Sequence, residues 1–341
     1  VASEGEEMSY QILSMDGGGI RGVLTAQILD YIVAEFPSFL DDVDLIAGTS
    51  AGALNTIALT FPQALTPAQL VNVYEHEGRN IFHSSLPGAL NWGLVSAKYG
   101  TPGRRNAMID SLNAVGNTHS ESVTLGQLKK NVLICTFQLD SQNPISPSTG
   151  PRDWKPKLFH NFPFDNGGVP NTDTSVSAID VATMSSAAPV VFPIFEGFVD
   201  GGVFANNPVM CAIAQALNIG EFTGGQVHSP DVKDLRVVSI GTGAGKRQFL
   251  TEKDNSWGIT EWGFKIIDLL VDSVTGVADY QATQLLDACY QRINPVMDSD
   301  IGLDDVEKVP TLLAIAKAWR ASPAFAELIA WLQAKWEKRA V

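Results

Sequence analysis

Ser50 stands in Gly48-Thr49-Ser50-Ala51-Gly52, between the apolar run Leu45-Ile46-Ala47 and the stretch Ala53-Leu54-Asn55-Thr56-Ile57-Ala58-Leu59. The spacing predicts a strand, a turn and a helix, with the serine in the turn. Such an elbow lifts a hydroxyl off a sheet edge and aims a helix N-terminus at a reacting carbonyl. The chemistry it serves is nucleophilic acyl transfer. The same G-x-S-x-G string also marks ordinary turns, so the assignment depends on what accompanies it.

Upstream, Asp16-Gly17-Gly18-Gly19-Ile20-Arg21-Gly22 follows the short apolar strand Tyr10–Met15 and precedes Val23, Leu24, Ile28, Leu29, Ile32 and Val33 at helical spacing. Gly17 to Gly22 fits G-x-G-x-x-G, which raises a dinucleotide site and an oxidoreductase as an alternative. Two features count against it. The second strand ends in Gly48-Thr49-Ser50 rather than in an acid for a ribose, and Asp16 would set a carboxylate beside a pyrophosphate. Three consecutive glycines suit an oxyanion hole, in which the N–H groups of Gly17, Gly18 and Gly19 converge on a developing alkoxide and Ala51 adds a further donor. Arg21 reads either as positive charge beside this loop or as a solvated first-turn residue.

A serine nucleophile needs a base. The elbow follows what reads as the second strand, too early for the Ser–acid–His order of an α/β-hydrolase. The histidines are His76, His83, His119, His160 and His228, and only His228 could follow a downstream acid; it lies in a loop-like stretch. The remaining candidate is Asp200, in Phe198-Val199-Asp200-Gly201-Gly202, at the carboxyl end of an apolar strand, where open α/β sheets place ligands. An aspartate that merely caps the following turn would look the same.

These blocks, with Ser186-Ala187-Ala188-Pro189, Phe192-Pro193, Asn206-Asn207-Pro208 and Ser239-Ile240-Gly241-Thr242-Gly243, resemble the patatin-like phospholipase family in content and order. The resemblance spans roughly residues 9–245. It implies a lipid acyl hydrolase with a catalytic Ser50–Asp200 dyad, no cofactor, and transient contact with a lipid surface. A storage or binding protein that kept the fold is the other reading, which intact Ser50, Asp200 and Gly17–Gly19 disfavour.

The 341 residues carry a net charge of −14, with a pI near 4.7, which argues against nucleic acid and against broad adsorption to anionic membranes. No stretch approaches the roughly 20 apolar residues of a membrane span. Cys135, Cys211 and Cys289 are isolated and read as thiols of a reducing compartment, so a cytoplasmic setting is expected unless a signal peptide has been removed. No zinc spacing, His-Glu-x-x-His or calcium loop is present, and no metal is expected. Gly241-Thr-Gly-Ala-Gly-Lys246 lacks the first glycine of a P-loop, and Arg247 stands where Ser or Thr should bind magnesium.

The pattern predicts strands near 10–15, 44–49, 131–139, 157–162, 190–200 and 235–241. Helices are predicted near 22–36, 51–60, 67–77, 104–115, 178–186, 207–218, 261–275, 278–290, 310–320 and 324–338. The expected fold is a three-layer α/β/α arrangement around a mostly parallel sheet. One catalytic domain over 8–341 is expected, with its motif-bearing core at 9–245 and a helical C-terminal extension at 256–341. In that extension Trp319, Phe325, Leu328, Ile329, Trp331, Leu332 and Trp336 form an apolar face flanked by basic residues. A terminal helix packed on the core is the expectation. A membrane-interface helix is the alternative, with Trp257 and Trp262 second as lipid-contact candidates.

Overall fold

Alternation along the strands builds two cores, one on each face of a central sheet. Leu13, Ile46, Ile134 and Val238 point into one and Ile12, Leu45, Leu133 and Val237 into the other, all at most 1% exposed. This two-sided burial is why the strands read as continuous apolar runs rather than as half-polar ones. The computed structural model describes residues 9–82, 97–147, 150–245, 258, 262 and 265–339.

Seven strands among these residues form the sheet: β1 (Tyr10–Met15), β2 (Leu45–Thr49), β3 (Asn131–Gln138), β4 (Lys155–His160), β5 (Phe198–Asp200), β6 (Leu235–Ile240) and β7 (Tyr290–Ile293). Their order is β7-β6-β1-β2-β3-β4, with β5 on β3. The five strands from β7 to β3 run parallel, and β4 and β5 are antiparallel to β3. Helices α1 (Gly22–Glu35), α2 (Ala51–Thr60) and α5 (Ala178–Ser185) cover one face. The helices Val209–Leu217 and Lys265–Leu286 cover the other. This is the three-layer, mostly parallel arrangement expected from the sequence. Between α2 and α5 in sequence lie α3 (Pro67–Ile81), opened by a Thr66–Gln69 capping box, and α4 (Thr101–Ala114).

Three expectations change. The strand near 190–200 contracts to Phe198–Asp200, because turns occupy Pro189–Val191 and Glu196–Gly197 and Phe195 makes only an isolated bridge to Phe198. The two helices near 261–275 and 278–290 are one 22-residue helix, Lys265–Leu286. The C-terminal region is also not wholly helical: Tyr290–Ile293 joins the sheet parallel to β6, and Val296–Met297 pairs with Ala244–Gly245. Tyr290 and Ile293 are β-formers that close the sheet edge, and they were hidden by the helical periodicity that runs up to them.

The terminal helices Val309–Arg320 and Pro323–Lys335 pack inward, as expected. Leu312, Ala316, Leu328 and Leu332 are at most 2% exposed, and Trp336 stacks on Phe39 with ring centroids 5.0 Å apart. Trp331 donates its indole N–H to the carbonyl of Ala288 at 2.8 Å. The chain after this helix is clasped to the sheet, where Gln11 donates to the carbonyls of Asp42 and Glu337. The interfacial alternative for Trp319–Trp336 is therefore set aside: Phe325 and Trp336 are buried, and Trp319 and Trp331 are half-buried against the core. Trp257 lies outside the described residues. No helix among the described residues is long and apolar enough to cross a membrane. Trp336→Ala is expected to destabilise the fold by about 3–5 kcal/mol, the usual cost of truncating a buried aromatic, read as a lower urea midpoint at unchanged slope.

Candidate active site

Ser50 and Asp200 are brought together by a change of partner along one edge of β3. Over Asn131–Cys135 that edge is paired with β2, and over Thr136–Gln138 with β5. Strand β4 holds the opposite edge throughout Leu133–Gln138, so β5 takes up the edge that β2 vacates. Thr49 sits opposite Cys135 and Asp200 opposite Thr136. The residue at which the chain leaves β2 and the last residue of β5 therefore meet end to end.

Ser50 has φ 55° and ψ −119°, a backbone conformation that costs a non-glycine residue of order 1–3 kcal/mol. The surroundings hold it there. Its N–H donates to the Ser185 hydroxyl at 2.9 Å, and that hydroxyl donates to the Cys135 carbonyl at 2.7 Å, tying the elbow to the end of α5 and to β3. Thr49 donates through its hydroxyl to the Ala205 carbonyl at 2.6 Å. The first turn of α2 lies so close to the end of β1 that a Cβ at Gly52 would fall 2.1 Å from the Met15 carbonyl oxygen. Only glycine allows that approach.

Asp200 is 6% exposed and accepts the Gly202 N–H at 2.7 Å. Burial pushes its pKa up to about 6, against the opposing pull of the Ser50 side chain, the Gly202 N–H and the positive charge of Arg104. Arg104, from α4, is 2% exposed and donates to the carbonyls of Ser186 and Thr183 at 2.8 and 3.0 Å, at the C-terminal end of α5. Its guanidinium lies 4.2 Å from the centroid of the Phe192 ring. Burial lowers its pKa to about 10 while Asp200 raises it, so Arg104 stays cationic at neutral pH. Helix-end carbonyls, an aromatic face and a nearby carboxylate are the surroundings that a buried cation requires.

The glycine loop lies across the same cleft. Gly17 donates its N–H to the Asn206 carbonyl at 2.9 Å, so this amide is already committed and the expectation of three glycine donors narrows to two. Gly18, Gly19 and Ala51 line the cleft, and their amides stand at the starts of helical turns, where no intrahelical acceptor exists. Gly19 holds φ +56°, and a Cβ there would fall 2.2 Å from the Leu303 carbonyl oxygen.

Arg21 sits behind the loop rather than in the cleft. It is 5% exposed, its Nε lies 3.5 Å from the Gly18 carbonyl oxygen, and it faces a separate polar cavity with Asp16 and Arg292. It is therefore not a solvated first-turn residue. Arg292, on the edge strand β7, grips Asp16 with two bonds of 2.9 and 2.5 Å and also donates to Ser239 at 2.8 Å. Burial works against the Asp16 carboxylate and Arg292 offsets much of that cost. This fork anchors the first residue of the loop to the end of the sheet.

The cleft, open to solvent, spans about 870 Å³ with its mouth included, and its walls are mostly apolar, with Leu54, Ile81, Phe82, Val191, Phe192 and Leu303 among them. A smaller apolar hollow of about 400 Å³, its open side included, adjoins it and shares Leu54, Tyr74, Ile81 and Arg104. Four of the five histidines are described and none of them lines the cleft; His228 is exposed, and His160 is buried against Asp165 at 3.0 Å. Arg104, Ser185 and Arg292 carry no motif. Arg104 looks like one of two adjacent arginines near a helix start, and Arg292 follows what reads as the end of a helix.

The family model for patatin-like phospholipases matches residues 13–213. CotR of Bacillus subtilis is 29% identical over 252 residues, covering 73% of this chain and 68% of that protein. Patatin-like protein 2 of Arabidopsis thaliana is 27% identical over 351 residues, covering 90% of this chain and 81% of that protein. Among solved structures, VipD from Legionella pneumophila aligns over 90% of this chain and 67% of its own, at 11% identity and a TM-score of 0.35. The family match takes in the glycine loop, the Ser50 elbow and Asp200, and the chain belongs to the patatin-like phospholipase family, a family of lipid hydrolases.

Proposed function

We propose that the protein hydrolyses carboxylic esters of lipids through an acyl-Ser50 intermediate, with Asp200 as the base. The observation that carries this reading is the meeting of a strained, buried serine with a buried carboxylate at the foot of an apolar cleft. A carboxylate in water, with a pKa near 4, is a weak base for a serine hydroxyl. Desolvation brings the charged and neutral forms of Asp200 closer in energy, so it can accept the Ser50 proton during attack and release it again.

In the acylation step the Ser50 oxygen bonds to the ester carbonyl carbon while its proton passes to Asp200. The carbonyl oxygen becomes an alkoxide facing the amides of Gly18, Gly19 and Ala51, and in other enzymes loss of one such donor costs about 10²–10³ in rate. Collapse expels the alcohol, which takes the proton from Asp200. Water then attacks the acyl-serine by the same proton route, releasing the fatty acid and restoring the Ser50 hydroxyl. The apolar walls of the cleft and its adjoining cavity suit an acyl chain, which favours a lipid ester over a small polar one.

A fluorophosphonate probe is expected to label Ser50, and Ser50→Ala to abolish both labelling and turnover of a soluble p-nitrophenyl ester. Asp200→Asn should lower turnover by about 10²–10⁴-fold with the fold intact by circular dichroism, whereas His228→Ala should stay near wild type. An equally inactive His228→Ala would restore a His-based triad. EDTA should leave turnover of the soluble ester unchanged.

The pH profile follows from Asp200. The base works in its ionised form, so kcat/KM should rise about tenfold per pH unit up to about pH 6 and level off above it. Arg104 favours the ionised form. Arg104→Gln should therefore move the midpoint to higher pH, and Arg104→Lys should move it less. A midpoint unchanged in Arg104→Gln would show that its charge does not act on Asp200.

A further inference from the structure

The glycine loop stands between two hollows. Gly17, Gly18 and Gly19 line the cleft, and behind them Arg21 and Thr242 line the polar cavity that also holds Asp16 and Arg292. The two donors that the loop keeps for an oxyanion belong to the peptides Gly17–Gly18 and Gly18–Gly19. A peptide is planar and trans, so holding its carbonyl on one side aims its N–H to the other. Whatever grips the Gly17 and Gly18 carbonyls therefore decides where the Gly18 and Gly19 amides point.

The Gly18 carbonyl is gripped by the chain beside it. It accepts the Arg21 N–H at 3.1 Å across the short helical turn Gly19–Arg21, so local backbone geometry sets the Gly19 amide. The Gly17 carbonyl is held from a distance. It accepts the hydroxyl of Thr242, 225 residues away in sequence, at 3.0 Å. The Asn206 side-chain amide reaches the same oxygen only at 3.4 Å, while it donates to Thr275 at 3.0 Å. Thr242 is buried and fills the space beside Gly18, where a Cβ would fall 2.2 Å from its Oγ1 and 2.6 Å from its Cγ2. A β-branched side chain packed in this way has little freedom at χ1, so its hydroxyl arrives preset. The turn that carries it is tied to the end of β7: Gly241 donates to the Ile293 carbonyl at 2.7 Å, and Gly243 to the Asn294 side chain at 2.8 Å.

We propose that Thr242 is a positioning residue for acyl transfer: through the Gly17 carbonyl, its hydroxyl aims the Gly18 N–H at the alkoxide that forms on the substrate. The proposal rests on the acyl-Ser50 reading and gives a role to the Ser239–Gly243 block, which takes no direct part in the acyl-transfer steps. A donor aimed in advance needs no reorganisation when the charge develops. Because the alkoxide exists only beyond the ground state, the loss of that aim lowers kcat rather than raising KM.

The test compares side chains at position 242, with rates counted per site titrated by a fluorophosphonate so that unfolded protein drops out. Thr242→Val removes the hydroxyl at nearly constant shape and should lower kcat on a soluble p-nitrophenyl ester about tenfold, with KM within about twofold. Thr242→Ser keeps the hydroxyl and should recover most of the loss. Should the valine protein fail to fold, Thr242→Cys, a weaker donor, replaces it and should still fall below Thr242→Ser. An alkyl trifluoromethyl ketone, whose carbonyl carbon Ser50 attacks to leave a bound alkoxide, should lose affinity by the same factor as kcat/KM. The pH midpoint near 6 should stay in place, since Asp200 is untouched. Wild-type kcat in Thr242→Val or its replacement overturns the proposal, as does a serine protein no better than either. A lower kcat with unchanged ketone affinity overturns it as well, because the loss then lies outside the oxyanion. If the wild-type protein cleaves no ester and takes no fluorophosphonate, the acyl-Ser50 reading fails and the proposal falls with it; if it does both, the position-242 variants alone decide.

Discussion

The edge of β3 is the constraint on which the site depends. That strand outruns β2 by Thr136–Gln138, and β5 fills the vacated edge from the opposite direction. A strand that ends early leaves unpaired backbone groups that must find a partner. Here the partner delivers a carboxylate to the point where a serine leaves the sheet. Ser185 adds a third link, accepting from the Ser50 amide while donating to the Cys135 carbonyl at the same junction. The Ser50 conformation is thus fixed by strands and a helix end rather than by a loop, which gives the precision that a proton transfer demands.

Two buried cations serve this arrangement differently. Arg292 belongs to the framework: its fork to Asp16 closes the polar end of the sheet under the glycine loop, and removing either partner would strand a buried charge. Arg104 has no ion-pair geometry with Asp200 and acts on it through space, from a seat made by helix carbonyls and an aromatic ring. A directly paired Asp200 would be held in its ionised form and would make a poor base. A cation at one remove keeps the carboxylate near a working pKa of about 6.

The sequence was most legible where one residue type has one physical use. The glycine-flanked Ser50, the triple glycine and Asp200-Gly201-Gly202 stand at turns whose backbone demands appear in the residues themselves. The strands were legible because burial on both faces makes them apolar throughout. Less was readable where contacts join distant segments. Tyr290–Ile293 is a short edge strand directly after a long helix, and local periodicity cannot show that β6 lies beside it. Arg104, Ser185 and Arg292 owe their places to partners far away in sequence. The loss of Gly17 as a donor depends on the Asn206 carbonyl, which no motif reveals. The aromatic face at the C-terminus is legible as amphipathic, and Trp336 on Phe39 shows that its partner is the protein's own core.

The most direct test of the account is capture of the covalent intermediate. A soluble acyl ester mixed with the protein and quenched in acid should give an intact mass increased by one acyl group, and fragmentation should place that group on Ser50. Asp200→Asn should form the adduct far more slowly. An acyl group on any other residue, or turnover that proceeds with no acyl-protein under single-turnover conditions, would contradict the Ser50–Asp200 mechanism.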